Sequence, residues 1–277
     1  MAKDLSELAK NRMTTDRSAG EKLGECARLL RIESGVWLRS RQHNPEARLR
    51  LFCFPYAGGS AVMYRYWTDL PPEIEVCPVQ LPGRDERFRE PAFTRTDALC
   101  EALVRALRGY VDMPFAMFGH SMGAIIAYEF ACRLQARGSA PVHLLVSGQR
   151  APHVPLRRTR SYDLPEPAFR DRLRELDGTP EAVLQDAGLM ELLLPRLRSD
   201  FEMSETYEDV KHAPLVCPIT AFGGAQDKEV SSSDLEAWRL TTTSAFDLKM
   251  FPGGHFYLDK QGPMLRRHVA ECLLARR

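Results

Sequence analysis

The segment Phe118-Gly-His-Ser-Met-Gly123 places a serine between two glycines in the pattern G-x-S-x-G. At a sharp turn between a strand and a helix, this pattern exposes the serine hydroxyl as a nucleophile for acyl transfer. The residues on both sides fit that context, because 116–118 are apolar and strand-like and 124–130 are helix-like. We therefore predict that Ser121 is the nucleophile of a serine-dependent acyl-transfer site.

A serine of this kind needs a histidine as general base. Five histidines follow Ser121 in the chain. His143 lies within a predicted strand and His268 within the last predicted helix. His153 and His212 lie at the borders of a predicted helical block. His255 instead follows a strand in Phe251-Pro-Gly-Gly-His-Phe256, where the glycines let the backbone bring an imidazole close to the serine. We predict His255 as the base.

The acid that orients the histidine is expected between the serine and the histidine in the chain, in the loop after a strand. The segment Phe222-Gly-Gly-Ala-Gln-Asp227 has this form, so Asp227 is the predicted acid. Glu229 is the nearest rival and Asp234 a weaker one. A single loop aspartate is usually a capping or solvent-facing residue, so the choice of Asp227 depends on its place in the chain order.

Acyl transfer also needs N–H donors for the oxyanion of the tetrahedral intermediate. One predicted donor is the backbone N–H of Met122, which follows the nucleophile. The second is expected in the loop after the first core strand, Pro55-Tyr-Ala-Gly-Gly59, where small residues allow the main chain to approach a substrate carbonyl. We predict the Ala57 N–H as this donor.

Strand and helix patterns alternate around these motifs, which predicts an α/β fold with a mostly parallel sheet and helices on both faces. The predicted strands are Arg48–Phe54, Ile74–Val79, Phe115–Phe118, Val142–Val146, Cys217–Phe222 and Phe246–Phe251. The predicted helices are Thr96–Arg108, Met122–Arg137, Phe169–Leu176, Glu181–Asp186, Leu189–Tyr207 and Pro263–Ala275. This arrangement is typical of the α/β-hydrolase fold.

The alternation is interrupted between residues 152 and 212, where the chain is helical, charged and rich in proline. A helical block between two strands of a parallel sheet is expected at the carboxyl edge of the sheet, where such sheets bind ligands. We predict an α/β-hydrolase domain over 36–277 with this block as its lid. Residues 1–35 are polar and weakly patterned, and we predict a flexible N-terminal extension.

Composition excludes several other classes of protein. A net charge of +1 over 277 residues does not favour nucleic-acid binding. No apolar run approaches the length of a membrane span, and the charged N-terminus lacks the apolar core of a secretory signal, so we expect no membrane association and a cytoplasmic location. Seven scattered cysteines without a CxxC pair indicate reduced thiols rather than disulfides or a metal site.

Together, five segments resemble the type II thioesterases, discrete enzymes that accompany polyketide and nonribosomal peptide synthases. They are Phe52-Cys-Phe-Pro-Tyr-Ala-Gly-Gly59, Gln80-Leu-Pro-Gly-Arg84, Phe118-Gly-His-Ser-Met-Gly-Ala124, Phe222-Gly-Gly-Ala-Gln-Asp227 and Phe251-Pro-Gly-Gly-His-Phe256. The resemblance spans about residues 37–274, and Arg198-Ser-Asp-Phe201 looks like the family's lid segment. It implies the same catalytic residues (Ser121, Asp227, His255) and the same oxyanion donors (Met122, Ala57).

The resemblance also implies a substrate and a partner. The substrate is an acyl group on the phosphopantetheine arm of an acyl or peptidyl carrier protein, released by hydrolysis when the carrier is stalled or mis-primed. No metal or organic cofactor is implied, and we expect a monomer. A carboxylesterase, a lipase or a chain-releasing thioesterase would use the same triad and stays an alternative. A hydrolase-fold binding protein without turnover is the alternative outside enzymes.

Two further hypotheses concern what surrounds the site. The leucines of the last predicted lid helix could line an acyl channel, or could simply pack the lid on the body: Leu189, Leu192, Leu193, Leu194 and Leu197. Two basic clusters near the expected entrance could steer an acidic carrier protein, or could be ordinary solvated charge. These clusters comprise Arg84, Arg87 and Arg89, and Arg157, Arg158 and Arg160.

Overall fold

A six-stranded sheet organises the protein. Its structure is a computed structural model that describes residues 37–39 and 44–275. The predicted extension 1–35 lies outside the described residues. The strands are β1 (Leu49–Phe54), β2 (Ile74–Pro78), β3 (Phe115–His120), β4 (His143–Ser147), β5 (Ile219–Gly224) and β6 (Phe246–Phe251). All neighbouring strands pair in parallel, in the order β2-β1-β3-β4-β5-β6. The predicted α/β-hydrolase type of fold is confirmed.

Seven α-helices connect or cover the strands in the described part of the chain. They are α1 (Thr96–Leu107), α2 (Met122–Gln135), α3 (Glu166–Leu176), α4 (Glu181–Gln185), α5 (Ala187–Glu205), α6 (Ser232–Glu236) and α7 (Tyr257–Leu274). Short 3-10 helices cover Ala61–Asp69, Asp85–Arg87, Arg108–Tyr110 and Ala237–Thr241. None of the described helices is long and apolar enough to cross a membrane.

Side chains alternate between the two faces of the sheet, and packing on both faces buries strands β1, β3, β4 and β5. On β1, Phe52 and Phe54 belong to the cluster on the α1 and α2 side, and Leu51 and Cys53 to the cluster on the opposite side. The helix α2 is buried on nearly all sides, since it packs against three strands and α1. This burial fixes the start of α2, and with it the residue that precedes the helix, Ser121.

Helices α3, α4 and α5 form the predicted insertion between β4 and β5. They have a small hydrophobic cluster of their own, centred on Phe169 and Phe201, whose rings meet edge to face at 5.2 Å between centroids. Helix α5 begins at a capping residue, since the Asp186 side chain accepts a hydrogen bond from the Leu189 N–H. The inserted helices are therefore a packed unit rather than a loose loop.

The predicted start of the last helix at Pro263 is wrong, because α7 begins at Tyr257 and contains Pro263 in its interior. Tyr257 is buried and its ring stacks on Phe251 at 5.2 Å. This packing holds the first turn of α7 on the sheet, only two residues after His255.

The structure describes six cysteines, and most of them lie in the interior. Five of them are buried: Cys53, Cys77, Cys100, Cys132 and Cys217. Cys272 is partly exposed. Burial raises the pKa of the Cys53 and Cys100 thiols, so these side chains are protonated and pack as small apolar groups.

Candidate active site

Ser121 lies at the sharp turn between β3 and α2, with φ 53° and ψ −122°. This conformation is strained for any residue with a side chain. A Cβ at Gly119 would lie 2.1 Å from the Gly123 carbonyl oxygen, and a Cβ at Gly123 would lie 2.3 Å from the Phe54 carbonyl oxygen. The two glycines of the pattern are thus required by close backbone contacts, and the predicted turn is present.

These contacts predict the effect of a methyl group at the turn. We expect Gly123→Ala to destabilise the protein by about 3 kcal/mol or more, because a backbone carbonyl rather than a flexible side chain has to move. Urea denaturation measures this change. Gly109→Ala is the matched control, since no atom lies within 4 Å of its added Cβ, and a change within about 1 kcal/mol is expected. Equal stability of both variants would contradict tight packing at the turn.

Asp227 and His255 form a hydrogen-bonded pair beside this turn. The distance from His255 Nδ1 to Asp227 Oδ2 is 2.8 Å, and the side chains are 9% and 1% exposed. The other carboxylate oxygen, Oδ1, accepts hydrogen bonds from the backbone N–H groups of Glu229 at 2.8 Å and Val230 at 3.3 Å. The carboxylate is therefore fixed in orientation, and it holds the imidazole with Nε2 free to act as a base.

Glu229, the rival acid, is engaged elsewhere. Its carboxylate pairs with Arg172 and, at 3.1 Å, with Arg158 Nε. Asp234, the weaker rival, accepts from Ser231 in a capping box at the start of α6. Among the described residues, Asp227 is the carboxylate that contacts His255.

Ser121, Asp227 and His255 line one cavity of about 400 Å³. This volume is in the range of small-molecule sites. The Ser121 hydroxyl and the His255 ring share the cavity. The hydrogen bonds of the described residues do not include one between these two side chains. Catalytic hydrogen bonds are often long in the free enzyme and shorten when substrate binds. The arrangement supports proton transfer from Ser121 to His255 once an acyl group is in place.

Ala57 lines the same cavity, in the loop that follows β1. The Gly59 N–H donates to the Tyr56 carbonyl at 2.9 Å, and Gly58, the third residue of this turn, has φ 77°. A type II turn requires that φ value, and glycine supplies it. Because the C=O and N–H of a trans peptide point in opposite directions, the Ala57 N–H points away from the bond that closes the turn.

Met122 is the first residue of α2, so its N–H belongs to the unpaired group at the start of a helix. The positive end of the helix dipole adds to the field at this point. The Ala57 and Met122 N–H groups thus stand on two different elements at the carboxyl edge of the sheet. They can serve as the two donors of an oxyanion hole.

His120, which the pattern treats as a variable position, has an environment that the sequence did not indicate. It is fully buried, with Nδ1 2.8 Å from Ser147 Oγ, which lies 2.6 Å from the Tyr257 hydroxyl. Burial, together with the neighbouring His255, lowers the pKa of His120 well below its usual value. The neutral His120 ring lies 5.0 Å from the His255 ring and adds no positive charge beside it.

The leucine hypothesis is only partly supported. Leu197 lines the cavity, together with Leu173 and Phe201 of the inserted helices. Leu194 is buried in the helices' own cluster, whereas Leu189 and Leu192 are exposed to solvent. Most of these leucines therefore pack the insertion or face water, and one reaches the cavity.

The environments of the basic clusters also differ from what the steering hypothesis requires. Arg84 and Arg87 are buried and bind Asp200 and Glu90, so they are not available to steer a carrier protein. Arg157 and Arg158 do line the cavity, but each is paired with a carboxylate. The sequence alone could not place the partners of Arg84, Arg157 and Arg158, because each partner is at least 47 residues away along the chain.

One wall of the cavity is formed by charged side chains. Arg158 binds Glu205 at 2.5 Å, and Glu205 also accepts hydrogen bonds from the N–H and hydroxyl of Ser161. Burial alone would raise the pKa of Glu205, but the hydrogen bonds from Ser161 and Arg158 outweigh it and lower that pKa. The Glu205 carboxylate is therefore ionised at neutral pH, and the Arg158 and Glu205 charges of this wall neutralise each other.

Comparison with known proteins gives a consistent result. The sequence model of the family described as "Thioesterase domain" matches residues 49–273. The chain is 45% identical to the gramicidin S biosynthesis protein GrsT of Aneurinibacillus migulanus, over 80% of this chain and 88% of that protein. It is 39% identical to the thioesterase PikA5 of Streptomyces venezuelae, over 90% of both.

A solved structure of similar architecture is that of the type II thioesterase BorB from the borrelidin biosynthetic cluster. It superimposes with a TM-score of 0.79 at 38% sequence identity, and the alignment covers 85% of this chain and 97% of BorB. Most of the chain thus has a counterpart of known structure.

Proposed function

This chain belongs to the thioesterase family, and from that premise we propose that it hydrolyses acyl groups from the phosphopantetheine arm of an acyl or peptidyl carrier protein. Its relatives include a gramicidin S biosynthesis protein and a type II thioesterase of the borrelidin cluster. The resemblance recognised in the sequence is confirmed. We further propose the role that it implies, the release of acyl groups from stalled or mis-primed carriers.

In the proposed first half-reaction, the Ser121 hydroxyl attacks the thioester carbonyl carbon while His255 Nε2 takes the hydroxyl proton. The negative charge that develops on the carbonyl oxygen is stabilised by the N–H groups of Ala57 and Met122. The intermediate then collapses, the C–S bond breaks, and the imidazolium returns its proton to the leaving sulfur. The products of this step are an acyl-serine and the free carrier thiol.

In the second half-reaction, water replaces the thiol. His255 takes a proton from the water, whose oxygen attacks the acyl-serine carbonyl, and the same two N–H groups stabilise the second oxyanion. Collapse breaks the ester bond, His255 protonates Ser121, and the free acid leaves. Asp227 keeps the imidazole in one orientation and stabilises its charged form throughout.

The observation that carries this proposal is the 2.8 Å hydrogen bond between His255 and Asp227, in a cavity that also contains Ser121. The strained turn supports the role of Ser121, because such turns present a nucleophile to a substrate. We also propose that the insertion over about 152–212 acts as the lid of a hydrolase domain over 36–277. Support for this comes from Leu173, Leu197 and Phe201, which line the cavity from the inserted helices.

The test compares three substrates with the same acyl group: the thioester on a phosphopantetheinylated carrier protein, the thioester on a small thiol, and a matched oxygen ester. We expect the highest kcat/KM for the carrier-bound thioester, because only that substrate contacts the enzyme outside the cavity. Equal kcat/KM values for the carrier-bound and the small thioester would contradict a carrier-protein substrate. Faster hydrolysis of the oxygen ester would favour the carboxylesterase alternative.

A further inference from the structure

We propose that Asp200, on helix α5 of the insertion, is a positioning residue for the oxyanion hole, acting through a buried ion pair with Arg84. The inference rests on the proposed role of the Ala57 N–H. Asp200 does not face the substrate directly. It binds the peptide unit next to the predicted donor. The insertion is thereby held against the loop of residues 55–59, which we call the oxyanion loop.

The contact begins at Gly58, the residue after Ala57. The Gly58 N–H donates to Asp200 Oδ2 at 2.7 Å, and the Gly58 carbonyl accepts a hydrogen bond from Arg196 Nη2 at 2.9 Å. Arg196 and Asp200 are four residues apart on α5, so both lie on the same face of the helix. Both polar groups of one glycine are thus bound by one helix face.

Arg84 completes the arrangement from the other side. Its Nη2 donates to Asp200 Oδ1 at 2.7 Å, and its Nη1 donates to the Gly59 carbonyl at 3.0 Å. The side chains of Arg84 and Asp200 are 2% and 0% exposed. A buried charge pair of this kind depends on good geometry, because removal from water costs more than an imperfect pair returns. The pair therefore fixes its neighbours more strictly than a surface pair would.

Packing also leaves the loop little freedom. A Cβ at Gly58 would lie 2.7 Å from Leu197 Cδ2, so α5 contacts the glycine directly. The turn closed by the bond from Gly59 N–H to the Tyr56 carbonyl sets the peptide plane that carries the Ala57 N–H. Asp200, Arg196 and Arg84 bind the next three peptide units, which fixes the turn as a whole. If α5 moved away, the bonds to Gly58 would break and the second oxyanion donor would lose its orientation.

The test replaces the ion pair with apolar side chains of similar size. In the variant Arg84→Met/Asp200→Leu both charges of the buried pair are removed together, and such replacements are often neutral or stabilising, so the protein is expected to fold. For hydrolysis of p-nitrophenyl acetate we expect kcat to fall by about 10- to 100-fold with little change in KM, because a misplaced donor costs less than the complete loss of one. The rate of labelling by a fluorophosphonate is expected to fall by a similar factor.

Asp200→Asn provides a graded comparison, since the amide keeps one acceptor oxygen for the Gly58 N–H. We expect kcat between those of the wild type and the double variant, and this variant decides the question if the double variant is not recovered folded. Glu129→Gln is the matched control. Glu129 is also a buried carboxylate in an ion pair, and it binds Tyr207 and His212 of the segment after α5, but it does not contact the oxyanion loop. Its kcat is expected to stay within about two-fold of the wild type.

A folded double variant with a wild-type kcat, or a folded Asp200→Asn variant with a wild-type kcat, would overturn the inference. A loss in Glu129→Gln equal to that in the double variant would also overturn it, because the stability of the insertion rather than the contact with Gly58 would then set the rate. These measurements use a small ester and a phosphonylating probe. Failure of the wild type on carrier-bound thioesters would therefore contradict the proposed substrate without affecting this comparison.

Discussion

Ser121→Ala is expected to lower kcat/KM by about 10⁵- to 10⁶-fold, since the loss of a nucleophilic serine removes the covalent pathway altogether. The fold should remain, because the backbone contacts of the turn do not involve the hydroxyl. The Ser121 N–H donates to the Ser147 carbonyl at 2.8 Å, and the Ser121 carbonyl accepts from the Ala124 N–H at 2.9 Å. Alanine has the same Cβ as serine and can make both bonds. The measurements are thioester turnover and the unfolding transition.

Covalent labelling gives an independent measurement of the same residue. A fluorophosphonate should label the wild type once per chain and should fail to label Ser121→Ala. Ser204→Ala is the control, because Ser204 lines the same cavity from α5 and its variant should still be labelled. Labelling that persists in Ser121→Ala would identify another nucleophile. The absence of labelling in the wild type would favour a hydrolase-fold binding protein instead of an enzyme.

Asp227→Asn is expected to lower kcat by about 10⁴-fold, and the contacts of the carboxylate give the reason. Oδ1 accepts two backbone N–H groups, those of Glu229 and Val230. In the asparagine variant the amide oxygen must take this position, so the NH₂ group faces His255 Nδ1. Because NH₂ only donates, Nδ1 becomes the acceptor and the ring proton moves to Nε2. That tautomer cannot accept the proton of Ser121.

Glu229→Gln is the matched control for this prediction. Glu229 was the alternative candidate for the acid. Its backbone N–H still donates to the Asp227 carboxylate when the side chain is changed to glutamine. We expect a loss of less than about ten-fold, since the affected contacts are those with Arg158 and Arg172 rather than with the imidazole. A larger loss in Glu229→Gln than in Asp227→Asn would show that the acid is misassigned. The pH dependence of kcat in both variants provides the supporting measurement.

The two predictions differ in what they test. Ser121→Ala tests whether the turn after β3 carries the nucleophile, which depends on local sequence. Asp227→Asn tests whether two distant loops meet with one defined orientation of a carboxylate and an imidazole. A large effect of the first with a small effect of the second would mean that the nucleophile is correct and that the imidazole is oriented by another group.

The sequence by itself determined the succession of strands and helices along the chain, and it identified the three residues proposed for the triad. These features depend on short-range patterns: an apolar run of strand length at β1, helical spacing of leucines along α1, and glycines around Ser121 where the backbone leaves no room for a side chain. The start of α7 was missed, because the packing of Tyr257 on Phe251, rather than the position of Pro263, sets it.

Only the tertiary structure decided which buried polar groups meet. The sequence placed Arg84 in a basic cluster that was expected at the surface, yet Arg84 is buried against Asp200, 116 residues further along the chain. His120 stands at a variable position of the G-x-S-x-G pattern, yet it forms a hydrogen bond with Ser147 of β4, which in turn bonds the Tyr257 hydroxyl of α7. Local patterns encode periodicity and turn geometry, which depend on neighbouring residues. The partner of a buried charge depends instead on how separate elements pack, because only their packing removes that charge from water and requires a partner for it.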